Sequence, residues 1–378
     1  MPGREAEPYP VPILTKWQPA DKLELRPVDP TTAFPTEPKR HINHRTLPSM
    51  STTFNDRPRL GIDISKLSFD VCLSFCQNRQ HRAEFTNNEA GFAKLDGWLQ
   101  EHQVSQSSAG LEATGPYGLL LLWHLHKQGH RVCLLNARRV KDYARSQGRR
   151  VKTDRIDAQI IAAYLKATEG LRPWQPPTQA LIELQALVRR REQVMIALQA
   201  ERNRDESQSC ALVRASLQRQ IASLKAEVGK LDKAIDQLVL DHLALQQSVR
   251  LLRSIDGVGR MVAVTILAEV PAISAFTRAR DVAAFAGLTP ALARSGTSVW
   301  RRGRMTKEGS ALLRKMLYMA ALQAVKRSTN AFHKCYSAFL ERGKPKMCAI
   351  GAIMHKILRV AFGVLKHQTP FVDNFAKV

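Results

Sequence analysis

The chain has 378 residues, 44% of them apolar, which is enough for about two or three domains with at least one sizeable core. Its 57 Lys and Arg against 33 Asp and Glu give a formal net charge of +24, so we expect a partner rich in phosphate. No run of about 18 uncharged apolar residues predicts a membrane span, no signal peptide is evident, and the six cysteines form no Cys-x-x-Cys pair. We therefore expect a cytoplasmic protein with no membrane partner, no zinc knuckle and no disulfide framework.

Residues 1–57 are rich in Pro, Thr and Arg and have little hydrophobic periodicity. This composition predicts a disordered or loosely packed basic arm. The basic stretch at residues 39–45 fits a solvated tail, and it also fits a contact with nucleic acid.

Short apolar runs begin near residue 58 and alternate with helical patterns up to about residue 173. Three strands at 60–64, 69–75 and 82–85 are followed by helix, strand, helix, strand and two further helices. A three-strand meander followed by alternating helices and strands is typical of a ribonuclease-H-like α/β sheet. We predict an α/β domain over residues 58–173.

Four carboxylates stand out in this domain. Asp154 and Asp157 share one face of a helix, a pattern that on its own fits a solvated surface better than a cation site. On the predicted topology, however, Asp63 lies on the central first strand and Glu112 ends the neighbouring fourth strand, so the four side chains converge. Such a group suits two Mg²⁺ or Mn²⁺ ions in phosphoryl transfer. The structural alternative is that Asp63 caps the turn at residues 65–66.

Residues 174–250 contain few helix breakers and carry two apolar seams at three-four spacing. We predict a coiled-coil oligomerisation region, either a hairpin or a dimer, with a bend at residues 205–210. Residues 251–378 are predicted to form an all-α domain with loops at 257–259, 288–303 and 342–346. Gly257 and Gly259 fit a helix-hairpin-helix turn that approaches phosphate, or a plain interhelical turn, but not a dinucleotide site.

A basic cluster follows Ser295, which on its own is typical of a turn serine. Arginine side chains suit phosphate oxygens, although a solvated basic face is the alternative. The predicted nucleic-acid-binding residues are Lys66, Arg294, Arg301, Arg302, Arg304, Lys307, Arg314 and Lys315. Trp300 fits either a packed side chain or a base-stacking one.

Three segments resemble the acidic motifs of the DEDD transposases of the insertion sequence 110 family, relatives of the Piv/MooV invertases: 61–66 (GIDISK), 111–115 (LEATG) and 152–158 (KTDRIDA). The resemblance continues through residues 255–268, 285–290 and 295–296 and the helix at 307–325, and it covers about residues 59–368.

This resemblance implies a RuvC-like N-terminal domain and a DNA recombinase that cuts and rejoins donor and target strands. It implies that Ser295 is the nucleophile, with Thr297 and Ser298 as rivals, activated by two Mg²⁺ or Mn²⁺ ions on Asp63, Glu112, Asp154 and Asp157. It also implies a non-coding guide RNA, the bridge RNA, and dimers that assemble into a tetramer. The serine and the acids would then form a composite site, within one subunit or across two.

Two other functions remain open from the residues alone. A Holliday-junction resolvase or nuclease would use the four acids with metal-activated water, and Ser295 would be structural. A non-catalytic nucleic-acid-binding protein would use the basic surface and have an inactive acidic site.

Overall fold

A computed structural model of the chain describes residues 57–76, 79–112, 116–148, 154–270, 272–295 and 299–373. For Pro116, 154–156, 291–295 and 299–304 it describes the backbone alone. The predicted basic arm therefore lies outside the described residues, except for Arg57. Thr297 and Ser298 also lie outside them.

A five-stranded mixed sheet forms the N-terminal part. Its strands are β1 (Arg59–Ile64), β2 (Ser68–Ser74), β3 (Gln80–Thr86), β4 (Ser108–Glu112) and β5 (Arg131–Leu135). They are arranged in the order β3-β2-β1-β4-β5, with β1 antiparallel to β2 and parallel to β4. The predicted meander and the central position of the first strand are confirmed.

Helices cover both faces of this sheet. They are α1 (Glu89–Glu101), α2 (Leu119–Lys127), α3 (Ala137–Ser146) and α4 (Asp154–Ala167). Asn88 caps α1, because its side chain accepts a hydrogen bond from the Gly91 backbone N–H. The core between the sheet and the first two helices is aliphatic and aromatic, with Leu60, Ile62, Phe69, Leu95 and Leu125 among its buried members.

Helix α4 packs on the opposite face, directly against β1. A Cβ atom at Gly61 would overlap the Ala158 carbonyl oxygen and the Ala162 backbone nitrogen. Cys72, which pairs with Gly61 across the sheet, is buried with Ala158 and Ala162 in a small cluster. Glycine at position 61 therefore sets the close approach of this helix to the sheet.

The segment after α4 joins the sheet to the helical part of the chain. The Arg131 guanidinium donates to the Leu171 carbonyl at 2.8 Å, and the Trp174 backbone N–H donates to Val132 at 2.6 Å. The Arg172 guanidinium lies 3.7 Å from the centre of the Phe276 ring. Burial lowers the pKa of Arg172 from its ordinary value.

Helices α5 (Gln179–Glu206) and α6 (Ala211–Asp241) pack along each other, and the bend falls between them as predicted. Leu184, Val188 and Ile235 are buried along this contact and join the main helical core. Asp232 on α6 ties the two helices together by accepting from Arg191 on α5 at 2.8 Å. The same carboxylate accepts at 3.0 Å from Arg260, which begins a later helix.

The remaining helices are α7 (Leu243–Leu252), α8 (Arg260–Glu269), α9 (Ala279–Phe285), α10 (Ala311–Ala324), α11 (Ala331–Glu341) and α12 (Lys346–His367). By length and composition alone, α12 is long and apolar enough to cross a membrane. However, 56% of its most apolar 18-residue stretch is buried inside the protein. Ile353, Ile357 and Ala361 on this helix are completely buried, as in a core helix.

The predicted loop at 288–303 is wrong, and so is the prediction of an exclusively helical C-terminal domain. This segment contains two antiparallel strands, β6 (Pro290–Ser295) and β7 (Val299–Met305). Most residues of both strands are small or basic, so the apolar alternation that identifies strands in a sequence is weak here. The antiparallel backbone pairing of the two strands defines this hairpin.

Candidate functional site

Acidic residues form one row across the sheet, which we call the carboxylate row: Glu84, Asp70, Asp63 and Glu112. The strand register places Asp63 opposite Asp70, and Asp70 opposite Glu84. Gly61 pairs with Gly110 in the parallel ladder, so Glu112 lies two residues further along β4, level with Asp63. Asp63 and Glu112 were predicted site residues, whereas Asp70 and Glu84 join the row only through the register of β2 and β3.

Helix α4 covers the face of the sheet to which this row belongs. Side chains two residues apart on a strand share a face, so Asp63 lies on the side of Gly61, which contacts the helix. Asp157 is half-buried and immediately precedes Ala158, the residue packed on Gly61. Asp154 begins the same helix one turn earlier, and its side chain lies outside the described part of the chain. Asp63, Glu112 and Asp157 thus lie on the side of the sheet that α4 covers, and their convergence on one metal site stays a prediction.

The turn after β1 is capped by serine. The Ser65 Oγ donates to the Ser68 carbonyl at 2.8 Å and accepts from the Ser68 backbone N–H at 3.2 Å. Lys66 is exposed in this turn, at the end of the strand that carries Asp63.

The residue types of the carboxylate row suit a divalent cation. Carboxylate oxygens are the hard ligands that Mg²⁺ and Mn²⁺ prefer. Within the described side chains, no group of three or more His, Cys, Asp or Glu is arranged to hold a metal ion. The side chain of Asp154, a member of the predicted metal-binding set, is not among them.

Ser295 lies on a different element from the acids, at the end of β6. In the hairpin register it pairs with Val299, Arg294 pairs with Trp300, and Ala293 pairs with Arg301. Ser295 therefore lies at the tip of the hairpin, and predicted phosphate-binding arginines lie on the neighbouring strand β7. The side chains of Arg294, Arg301, Arg302 and Arg304 lie outside the described residues.

Arg314 anchors the base of this hairpin. Its guanidinium donates to the carbonyl of Gly309 at 2.9 Å and to that of Ala286 at 3.2 Å. Gly287, with φ of +69°, has no room for a Cβ atom because it faces the Glu308 backbone. Burial lowers the pKa of Arg314 from its ordinary value. These contacts give Arg314 an intramolecular role that its position in a basic cluster did not indicate.

Two other residues of the predicted basic patch also have intramolecular contacts. The Lys315 Nζ pairs with Glu192 on α5 at 2.7 Å. Lys307 has φ of +57°, and its backbone N–H donates to the Gly287 carbonyl at 3.1 Å. Phosphate binding by Lys307, Arg314 and Lys315 stays a prediction.

One ion pair connects the hairpin base to the α/β part. Arg138, in the first turn of α3, lies 3.6 Å from the carboxylate of Glu308, which follows β7. The Arg138 side chain is largely exposed, so this pair contributes little to stability. It does place the connection between the hairpin and α10 beside a helix of the α/β part.

The turn at residues 255–259 is explained by helix packing. Gly257 has φ of +82°, and a Cβ atom there would overlap the Ala320 carbonyl on α10. The glycine therefore permits close contact with a helix, as expected of an interhelical turn. Asp256 in this turn pairs with Arg327 at 3.7 Å.

Comparison with known proteins places the chain in a family. Residues 60–208 match a family model described as a transposase of the DEDD group of IS110, and residues 249–337 match one described as a transposase of the IS116/IS110/IS902 family. The chain is 33% identical to the pilin gene-inverting proteins of Moraxella bovis and Moraxella lacunata over 314 residues, which cover 82% of this chain and 97% of each relative. It is 27% identical over 270 residues to the transposase for insertion sequence element IS1111A of Coxiella burnetii, covering 63% of this chain and 72% of that protein. The chain therefore belongs to the IS110 family of transposases.

Proposed function

We propose that the chain is a DNA recombinase of an insertion sequence, which cuts and rejoins donor and target strands. The observation that carries this proposal is the alignment of Asp63 with Glu112 on one face of the sheet, beneath the helix that begins at Asp154. The match to transposase models at both ends of the chain supports it, as does the net charge of +24. The printed names of the relatives, which refer to gene inversion and transposition, agree with this reaction class.

The nucleophile in this proposal is the Ser295 hydroxyl. Its Oγ attacks the scissile phosphate, a serine–phosphate bond forms, and the bond to the departing strand breaks, leaving a free hydroxyl on that strand. In the second step a hydroxyl of the partner strand attacks the same phosphate and releases serine. One phosphodiester is exchanged for another, so the reaction needs no external energy source.

Asp63, Glu112, Asp154 and Asp157 would hold two Mg²⁺ or Mn²⁺ ions. Bound metal would stabilise the charge that develops on the attacking and leaving oxygens. Arg294, Arg301, Arg302 and Arg304 would hold the phosphate strand beside Ser295, since guanidinium groups donate to two phosphate oxygens at once.

Domain organisation follows from this assignment. We propose a RuvC-like catalytic domain over 58–173, a coiled-coil oligomerisation region over 174–250 and a transposase domain over 251–378. Separate buried cores in the α/β part and in the helical part support the first boundary. Dimers that form a tetramer, with Ser295 and the acids on the same or different subunits, complete the proposal.

We also propose that a bridge RNA guides the recombinase to its donor and target DNAs. The decisive experiment is purification of the protein from cells that carry its native flanking DNA, nuclease digestion, and sequencing of the protected nucleic acid. One discrete RNA encoded beside the gene is expected, and it identifies the donor and target DNAs. Heterogeneous fragments at moderate salt would contradict guidance.

With those DNAs, the nucleophile can be trapped. Denaturing gels should show a covalent protein–DNA adduct for the wild type and for Ser298→Ala, and none for Ser295→Ala or Asp63→Asn. Cleavage without an adduct by Ser295→Ala would favour a resolvase that uses water. Unchanged DNA binding with no cleavage by the wild type would favour a non-catalytic binding protein.

A further inference from the structure

Three large apolar side chains are exposed together at the end of the sheet where β1 and β4 terminate. Leu67 is 78% exposed, Leu120 is 69% exposed and Tyr117 is 46% exposed. We call these three residues the edge platform. Single exposed apolar residues are ordinary, but a group of them on a protein surface marks a binding site.

Hydrogen bonds of Asn87 hold the two loops of this platform together. Its side-chain Nδ2 donates to the Ser65 carbonyl at 3.0 Å and to the Tyr117 carbonyl at 3.2 Å. Its backbone N–H donates to the Leu67 carbonyl at 2.8 Å. The loop after β1 and the short 3-10 turn at Pro116–Gly118 are therefore fixed relative to each other, and Leu120 follows Tyr117 by three residues.

The platform adjoins the carboxylate row. Leu67 follows Asp63 by four residues, and Tyr117 follows Glu112 by five. A Cβ atom at Gly118 would contact the Ile64 side chain at 3.8 Å, and Ile64 packs on the face of the sheet opposite to Asp63. The platform therefore shares one end of the sheet with Asp63 and Glu112, but not the face that α4 covers.

We propose that the edge platform binds an unpaired base of the DNA strand beside the scissile phosphate, with the Tyr117 ring stacked on the base and Leu67 and Leu120 flanking it. This inference rests on the proposed function. In a duplex the base faces are hidden by stacking, whereas an unpaired nucleotide offers an apolar π-face and a charged phosphate together.

Charge supports nucleic acid as the occupant. Lys66 precedes Leu67 and is exposed, so a cation lies next to the apolar surface, and the whole chain carries +24. Proteins that bind single strands combine such basic surface with an aromatic ring on which bases stack.

The test compares single-stranded with duplex DNA, using the full chain and no cleavage step. Binding of a fluorescently labelled dT12 oligonucleotide and of a 12-base-pair duplex is measured by anisotropy over a salt series. Tyr117→Ala should weaken dT12 binding about 5- to 30-fold and leave duplex affinity unchanged, because stacking on a ring acts only on an open base. Tyr117→Phe should bind dT12 as tightly as the wild type, since the aromatic ring is kept.

Leu212→Ser is the matched control, because Leu212 is 80% exposed at the start of α6, away from the carboxylate row in sequence and element. It should bind both DNAs as the wild type does. Equal binding of dT12 by Tyr117→Ala and wild type would overturn the inference, as would a change in oligomeric state in sedimentation without a change in DNA preference.

Failure of the proposed function is recognisable separately. Asp63→Asn and Ser295→Ala should bind dT12 and the duplex as the wild type does, since they change the cleavage step and leave the platform intact. If the wild type binds dT12 but Tyr117 makes no difference, only the platform is refuted. If the wild type binds neither DNA, both the platform and the recombinase are refuted.

Discussion

Asp63 on β1 and Asp70 on β2 lie directly opposite each other in the antiparallel ladder. Side chains at such positions are about 5 Å apart at Cβ, and like charges there destabilise a sheet. The register extends the acidic row to Glu84 on one side and brings Glu112 level with Asp63 on the other. The metal ions proposed for Asp63 and Glu112 would place positive charge beside this facing pair.

Asp70→Asn tests whether Asp70 contributes to the proposed metal site. Removing one of two facing charges should raise the free energy of unfolding without metal by about 0.5 kcal/mol. The same change should reduce the stabilisation that Mg²⁺ gives, which for the wild type is about 1.4 kcal/mol at ten times Kd. Thermal unfolding with and without Mg²⁺ measures both effects.

Asp281→Asn is the control for Asp70→Asn, because Asp281 is half-exposed on α9 beside Arg280. It should respond to Mg²⁺ as the wild type does. An identical Mg²⁺ response for Asp70→Asn and the wild type would remove Asp70 from any metal site.

Gly61→Ala should displace α4 from the sheet. The added methyl group overlaps the Ala158 carbonyl and the Ala162 nitrogen, and backbone cannot rotate away as a flexible side chain can. We expect a loss of about 2 kcal/mol in the free energy of unfolding, typical of overpacking, and a loss of DNA cleavage because the helix that begins at Asp154 moves. Urea unfolding and the cleavage assay measure the two effects.

Gly97→Ala provides the matched comparison. Gly97 lies in α1, with no atom within 4 Å of the added methyl group, so the change should leave stability equal or about 0.5–1 kcal/mol higher. A Gly61→Ala variant as stable and active as Gly97→Ala would show that the helix can shift without cost.

Some of this arrangement was predictable from the sequence and some was not. The strand order and the positions of Asp63 and Glu112 follow from apolar runs and from the length of the connections. The register is harder, because it depends on the exact size of the turn after β1. Asp63 and Asp70 are equally distant from the centre of that turn, so a prediction of a tight hairpin there also predicts that they pair.

The β6–β7 hairpin that carries Ser295, and its anchor Arg314, could not be predicted from the sequence. Most residues of β6 and β7 are small or basic, so no apolar alternation marks them as strands. Arg314 resembles its basic neighbours in sequence, and its distinct role depends on the carbonyls of Ala286 and Gly309, which the fold brings together. Gly257 fits both a phosphate-binding turn and an interhelical turn in sequence, and its close contact with α10 is visible only in the fold.

Arg314→Ala should therefore behave as a structural change. Loss of a charged donor from partly buried carbonyls should cost about 2 kcal/mol in the free energy of unfolding. If the guanidinium serves these carbonyls and not a phosphate, the salt dependence of DNA binding should stay the same. Thermal unfolding and affinity over a salt series measure these two properties.

Arg301→Ala is expected to show the opposite pattern. If Arg301 contacts a phosphate, its removal lowers the slope of log affinity against log salt by about one and leaves stability nearly unchanged. A reduced slope for Arg314→Ala, with unchanged stability, would return Arg314 to the nucleic-acid interface.

His130 should make the stability of the α/β part depend on pH. Its side chain is buried, and Nδ1 accepts from the Ser107 backbone N–H at 3.1 Å. Burial lowers the pKa of His130, Asp96 opposes this effect, and His124 adds to it. The unfolded state, with an ordinary pKa of about 6.5, therefore binds protons first, and stability falls as the pH drops from about 7 toward 5.

His130→Asn isolates this contribution, because an asparagine oxygen can accept from the same N–H but does not titrate. The variant should be less stable than the wild type at pH 7.5, yet lose less stability on acidification. The pKa values of His81 and His355 are lowered as well, so the wild-type slope includes two further histidines. Only the difference between the two proteins reports on His130. Urea unfolding at pH 7.5, 6.5 and 5.5 gives that difference, and parallel curves for the two proteins would show that His130 titrates alike in the folded and unfolded states.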